Sequence, residues 1–399
     1  HRGLSRRAGR RGRHLEESMR VSLHLTQDCN LRCRYCYAGA KAARPMSRET
    51  LHAAIELIFA ELVGNRLAVT FSGGEPLLEP ALLQEAVTLV RQRQKERDGL
   101  KVRFAVNTNG TVLDAARARL LIEERFHIVL SIDGATATHD AARPFVGGTG
   151  SFFAVEKNLD ALLALNPYLV TISVVAPQSA AQVPETVELL ASRGVRFVSL
   201  VPDHTGAWDD ASFGTLRRAY QELSVLYEGM FCRGKTLHLN LFDERIRSHV
   251  HGGRAREVCD LGDELAIGPD GSIFPCAQFV TARGMEAGTM ALGDVRGGLL
   301  RQRRAAVVAS SKRRPQACRD CALEGRCVND CSCVSFRTTG RVDEVSGFSC
   351  AHERMLTPIV DRAAERLFAT KNDLFLRRFY DPERAWDALA GDLWRAAAG

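Results

Sequence analysis

The run CNLRCRYC, residues 29–36, decides how the rest of this chain is read. Its cysteines, Cys29, Cys33 and Cys36, are spaced C-x3-C-x2-C. Three thiolates on one short loop can hold three corners of a cubic iron–sulfur cluster, leaving the fourth iron open to a substrate or cofactor. A structural zinc site wants four ligands, usually drawn from two separated segments. The triplet therefore favours a cluster over zinc.

Outward from that run, short apolar strands alternate with helical stretches from about residue 20 to 205. VSLHL (21–25) leads into the cysteine loop and LAVTF (67–71) into Ser72-Gly73-Gly74-Glu75-Pro76. VRFAV (102–106) leads into Asn107-Thr108-Asn109-Gly110, and IVLSI (128–132) into Asp133-Gly134. VTISVV (170–175) and FVSLV (197–201) complete six strands. Ser47 is placed to cap a helix whose Leu51, Ile55, Ile58 and Leu62 recur at helical spacing, and Leu77 to Arg97 reads as another helix. Strand, polar turn and helix in repetition is the pattern of a parallel βα fold. Chemistry in such folds collects at the carboxyl ends of the strands, where all the unusual loops lie.

The bulk numbers narrow the class. A chain of 399 residues suggests two domains, and no run approaches the ~18 apolar residues of a membrane span. The net charge of +7 is concentrated in residues 1–14, leaving 48 Lys+Arg against 47 Asp+Glu elsewhere. Residues 1–18 thus read as a disordered basic tail on a neutral body, and neither a nucleic-acid nor a membrane partner is expected. The twelve cysteines cluster in C-x2-C and C-x3-C units, which fits metal ligation in a reducing cytoplasm. Residues 19–205 read as the parallel βα domain and 206–250 as a helical bridge, with Cys232 a buried free thiol. In 251–352 Gly and Cys rise, and GPDGSIFPC and DEVSGFSC look like hairpin pieces around metal ligands. Residues 353–399 return to helix, over 352–370 and 380–397, with Leu356, Ile359, Ala363 and Leu367 as a core stripe.

Taken together, CNLRCRYC, SGGEP (72–76), NTNG (107–110), SIDG (131–134) and HDAARPFVGGTGSF (139–152) closely resemble the radical S-adenosylmethionine (SAM) enzymes, over roughly residues 21–205. The resemblance implies an α/β fold, a partial (β/α)6 barrel. It implies that Cys29, Cys33 and Cys36 ligate a 4Fe–4S cluster whose open iron chelates the amino and carboxylate groups of SAM. Glu75, with the backbone of Gly73 and Gly74, would hold that amino group, and Tyr35 would meet the adenine. Asn109, Ser131 and Arg143 match positions that contact the ribose or the methionine carboxylate. A surface ion pair is the alternative for Arg143, and turn chemistry for Ser131 and Asp133. Reductive cleavage of SAM in this family gives a 5′-deoxyadenosyl radical that removes a hydrogen atom from an unactivated C–H bond.

A second group comprises Cys259, Gly271-x4-Cys276, Cys318-x2-Cys321-x5-Cys327-x3-Cys331 and Cys350. Seven thiols exceed a zinc ribbon's four and suit two further cubic clusters. The run resembles the SPASM domain, the auxiliary-cluster module of radical SAM peptide maturases, over about residues 255–352. By that resemblance Cys318, Cys321, Cys327 and Cys350 hold the distal cluster, and Cys259, Cys276 and Cys331 the nearer one. Either Cys333 completes the nearer cluster or its iron stays open. Sulfatase-maturing relatives place an acidic residue after the second signature cysteine. Here Ala277-Gln278 follows Cys276, which counts against formylglycine formation. Asp203 and His204, past the sixth strand, are candidates for acid–base work, with loop polarity as the alternative.

The resemblance implies SAM and three 4Fe–4S clusters acting on a peptide, a ribosomally synthesised precursor, to give an oxidative cross-link or other C–H modification. An electron donor such as flavodoxin or ferredoxin is then required. With about 20 residues before the first strand, a separate leader-binding protein or the C-terminal helices would present the precursor. A sulfatase-maturase-like or small-molecule dehydrogenase, acting on a sugar or antibiotic precursor in the latter case, stays open. So, from another class, does a non-catalytic zinc module using the basic tail on nucleic acid.

Overall fold

The computed structural model describes residues 18–381, apart from 40, 42, 236, 254–260, 263, 281–289, 314, 329 and 330. Six parallel strands follow one another across a sheet: β1 Ser18–Thr26, β2 Arg66–Gly73, β3 Lys101–Thr108, β4 His127–Ser131, β5 Val170–Val175 and β6 Phe197–Pro202. A two-residue strand, β7 His238–Leu239, extends the β6 edge. On the other side β1 pairs in parallel with β8, Glu264–Ile267. Beyond β8, β9 Ser272–Phe274, β10 Gly293–Asp294 and β11 Gly298–Leu299 run antiparallel in turn. The result is one sheet in the order β11-β10-β9-β8-β1-β2-β3-β4-β5-β6-β7. The α/β architecture expected from the alternation is present, and the cysteine-rich region continues the barrel's own sheet.

Period-two alternation explains β1. Val21, Leu23 and Leu25 join the main core, while Ser22, His24 and Thr26 are buried on the opposite, polar face. Behind the sheet, Phe71, Phe104 and Phe126 form an aromatic cluster with centroids 5.4–5.9 Å apart. The first helix, α1 Arg48–Glu61, starts where Ser47 accepts a hydrogen bond from the Thr50 amide, and it buries Leu51, Ile55 and Ile58. Each of these side chains contributes ~1.5–3 kcal/mol by leaving water.

Behind the β6 edge, four helices pack together: α7 Asp210–Cys232, α8 Asn240–His251, α11 Gly347–Ala369 and α12 Asp373–Tyr380. Two buried ion pairs fasten them. Arg378 on α12 meets Asp243 on α8 and also donates to the Leu237 carbonyl at 2.8 Å. Arg245 on α8 meets Glu353 on α11 and donates to the Leu241 carbonyl at 2.8 Å.

Three expectations change. DEVSGFSC is no hairpin piece, because Ser346 accepts from the Ser349 amide and so caps α11, which carries Cys350. The last described helix, α12, is capped by Asn372 and so starts before the expected 380–397 helix, of which residues 382–397 lie outside the described residues, as does the tail 1–17. Cys232 is exposed rather than buried. It ends α7 nearly half a turn away from the buried line of Tyr220, Leu223, Tyr227 and Met230. Among the described residues no helix is long and apolar enough to cross a membrane.

Removing one member of a buried ion pair strands the other. Arg378→Leu is therefore expected to lose about 3–5 kcal/mol of stability in urea unfolding, and Asp243→Asn on top of it to recover part of the loss. An unchanged midpoint in the single variant would show that the pair does not hold α12 to α8.

Candidate functional site

The cysteine loop leaves β1 and is pinned against the β2 loop by backbone alone. The Gly74 amide donates to the Thr26 carbonyl at 2.9 Å, and the Glu75 amide to the Asp28 carbonyl at 2.8 Å. A Cβ at Gly73 (φ +127°) would stand 2.3 Å from the Thr26 oxygen, and one at Gly74 1.7 Å from the Asp28 oxygen. The glycines are thus required first for loop-on-loop contact.

Glu75 departs from the sequence reading. Its side chain is fully buried and does not line the cavity. One oxygen accepts from the Leu77 amide at 3.0 Å and the Thr108 hydroxyl at 2.9 Å, and the other from the Asn109 amide at 2.7 Å. Burial pushes its pKa up to about 7, against these three donors. The carboxylate ties the β2 loop to the β3 loop, and Gly73 and Gly74 face the cavity in its place.

Cys29 is buried, and its sulfur accepts from the Leu31 amide at 3.4 Å and the Asn109 amide nitrogen at 3.7 Å. Asn109 also donates to the Asn30 side chain at 2.9 Å and accepts from the Thr111 hydroxyl at 2.7 Å, so it joins its own loop to the cysteine loop. Arg143 is buried, not a surface group: it pairs with Asp133 at 3.0 Å, lies 5.2 Å over the Tyr35 ring and reaches the Cys33 sulfur at 3.9 Å. Asp133, for which turn chemistry was the alternative, is the hub of this corner. It accepts from the Tyr35 hydroxyl and, at 2.9 Å, from the Val174 amide. His139 supports it from behind. Its Nδ1 accepts from the Asp133 amide at 3.2 Å and its Nε2 meets Ser151 at 3.0 Å, whose hydroxyl donates to the Arg143 carbonyl at 2.6 Å.

These groups open on one cavity of about 510 Å³. Cys29, Cys33, Tyr35, Gly73, Gly74, Asn109, Ser131 and Arg143 line one side. Asp203, His204 and Cys331 line the other, with Ser349 and Arg337. His204 faces the Ser349 hydroxyl at 3.0 Å, and burial lowers its pKa. Sequence reading missed Tyr37, Lys41, Asn107, Asn240, Glu244 and Gln278 on the walls. Asn240 and Glu244 belong to no motif, and only their i, i+4 spacing on α8 puts both on one face.

None of the described cysteines is in a disulfide. Cys36 stands close enough to Cys29 and Cys33 for its charge to raise the pKa of both. Cys333 is fully buried and hydrogen-bonds with Cys276 and Cys331, while Cys350 faces Cys318 and Cys321. Cys327 follows in the same turn-rich segment, its amide donating to the Leu323 carbonyl at 2.7 Å. Cys259 lies outside the described residues.

Residues 23–205 match the Radical SAM superfamily. That part of the chain is a radical SAM domain. A serine-type anaerobic sulfatase-maturating enzyme of Klebsiella aerogenes is 28% identical over 272 residues, covering 64% of this chain and 65% of that one. A cysteine-type anaerobic sulfatase-maturating enzyme of Clostridium perfringens is 22% identical over 270 residues, 63% of this chain and 72% of that one. Among solved structures, anSMEcpe with bound AdoMet shares the fold at a TM-score of 0.73 and 18% identity, covering 90% of this chain and 98% of that one. Streptococcus suis SuiB bound to the precursor peptide SuiA does so at 0.57 and 14%, covering 84% and 76%. The chain thus spans just under two thirds of the length of the Klebsiella relative.

The donor set fits a cluster. Burial pushes the Cys33 thiol up to about 11 and raises Cys29. Positive charge favours the thiolate form there, as Arg143 does for Cys33, and iron would add to it.

Gly74→Ala forces the two loops apart, and a loss of about 1–3 kcal/mol in thermal unfolding is expected, while Gly147→Ala, with nothing within 4 Å, is neutral. Equal melting of both variants would refute the backbone lock. Burial also keeps His139 down at about 4 and His24 at about 3, below the ordinary 6.5. The unfolded chain takes up these protons first, so stability present above pH 6.5 is lost as pH falls towards 4. His139 alone accounts for about 3 kcal/mol of that loss. His139→Gln should flatten urea midpoints plotted against pH, and an unaltered slope would assign the acid sensitivity elsewhere.

Proposed function

We propose that the chain is a radical SAM enzyme that modifies a peptide. The observation that carries this reading is the single cavity walled on one side by the Cys29–Cys36 loop and on the other by Cys331 and its neighbours. A substrate C–H bond held in this cavity would lie in the space that both thiol groups line. When bound, SAM on a 4Fe–4S cluster supplies a radical that removes a hydrogen atom from such a bond.

The chain's own residues do the positioning. Cys29, Cys33 and Cys36 hold the cluster. The backbone of Gly73 and Gly74 faces the SAM amino group, and the Tyr35 ring offers its face to the adenine. Arg143 keeps its guanidinium beside Cys33, where it favours the methionine carboxylate and the thiolate alike. Asn109 holds the Cys29 thiol in place and so acts on the cluster as much as on the ribose. Cys318, Cys321, Cys327 and Cys350 hold the distal auxiliary cluster. Cys276, Cys331 and Cys259 hold the nearer one, and the Cys333 contacts with Cys276 and Cys331 support it as the fourth ligand. The product favoured is an oxidative C–H modification of a ribosomally made precursor.

A sulfatase-maturase reading is supported by the Klebsiella and Clostridium relatives. Against it stands Ala277, which offers no carboxylate next to Cys276. Formylglycine formation here would have to take its proton acceptor from Asp203, His204 or another wall residue.

Anaerobic reconstitution is expected to load about 12 iron atoms per chain, in three clusters. With dithionite and SAM the protein should release 5′-deoxyadenosine, and Cys33→Ala should abolish that release and bind about four fewer irons. Undiminished release from the variant would end the assignment.

A further inference from the structure

Two carboxylates line the cavity among the described residues, Asp203 and Glu244. They are not equivalent. One Asp203 oxygen closes a turn, accepting from the Thr205 amide at 3.0 Å and hydroxyl at 2.8 Å. Glu244 is half-buried on α8, and among the described residues it has no hydrogen bond and no ion pair. Its neighbour Arg245 cannot neutralise it, because that guanidinium turns inward to Glu353 and the Leu241 carbonyl.

The position of Glu244 is nevertheless fixed. One turn earlier, the Asn240 side chain clamps β6 by accepting from the Leu200 amide at 2.9 Å and donating to the Leu200 carbonyl at 3.1 Å. In strand order Glu244 sits by β6, separated by β3, β4 and β5 from Gly73 and Gly74 on β2. A ligand held at the β2 end therefore leaves the α8 wall for a second molecule. Lys41 and Arg337 line the same cavity, but neither forms an ion pair with Glu244. A half-buried carboxylate without such a pair is unfavourable, and a cation brought by that molecule offsets the loss.

We propose that Glu244 selects a cationic group on the substrate peptide, the ammonium or guanidinium of a lysine, an arginine or a free N-terminus. This rests on the peptide reading above. Glu244 is then a specificity-determining residue: it holds the substrate in register while other groups perform the chemistry.

The test is selection from a displayed library of random short peptides on the reconstituted full-length chain with SAM present. The wild type is expected to enrich lysine and arginine about tenfold at one position, Glu244→Gln to lose that enrichment, and Glu244→Lys to enrich aspartate and glutamate instead. Acetylated and unacetylated copies of selected peptides separate a side-chain cation from the N-terminus. SAM affinity and 5′-deoxyadenosine release, measured on the same preparations, keep the two readings apart. Wild-type protein that cleaves SAM but enriches no basic residue, or a Glu244→Gln variant that enriches them equally, overturns the role of Glu244 alone. A parallel loss of SAM affinity in Glu244→Gln would assign the residue to the cofactor and likewise overturn it. Wild-type protein that never cleaves SAM overturns the underlying reading.

Discussion

The approach of two backbone loops sets the geometry of this protein. The loop carrying Cys29, Cys33 and Cys36 lies on the loop carrying Gly73 and Gly74 with no side chain between them, held by two amide–carbonyl bonds. Glu75 then fastens the pair to the Asn109 loop from below. Three strand ends are thereby fixed relative to one another by hydrogen bonds to main-chain atoms, whose positions vary less than those of long side chains. Orientation of this kind is what positional catalysis demands. It also explains why a charged residue at position 75 is tolerated in full burial: its oxygens replace water with three donors.

Much of this was legible in the sequence, and the failures are instructive. The six strands and the loops at their ends were readable because alternation and Gly-rich turns are local signals. The grouping of Cys276 with Cys331 came from the family resemblance, since spacing alone does not pair cysteines 55 residues apart. Arg143 and Asp133 were harder. Ten residues separate them, and nothing in HDAARPFVGGTGSF says that the arginine folds back beneath Tyr35 to meet an aspartate on the preceding strand end. Glu75 was misread because its motif announces a carboxylate but not the direction of its side chain. The α8 wall was invisible, since Asn240 and Glu244 acquire meaning only once β6 is beside them. Cys232 failed for a rotational reason: one position along a helix is about 100° around it.

The helices behind β6 show a different economy. α8 presents Glu244 to the cavity while its neighbours Asp243 and Arg245 are committed to buried partners on α12 and α11. Adjacent residues on one turn thus serve the scaffold and the site. α11 does likewise, with Ser349 against His204, Cys350 among the distal thiols and Glu353 under the cavity wall. A displacement of that helix would be felt at all three.

The sheet itself has a consequence for how such proteins can diversify. β1 uses both of its edges, one for β2 and one for β8. The auxiliary region is therefore not a cassette hung on a finished barrel. Excising it would bare the amide and carbonyl row of the strand that delivers the first three thiols, a sticky edge prone to pairing with other chains. Recombination between relatives can exchange helices and distal loops freely, but a transplanted C-terminal half must bring a strand that zips onto β1 in register.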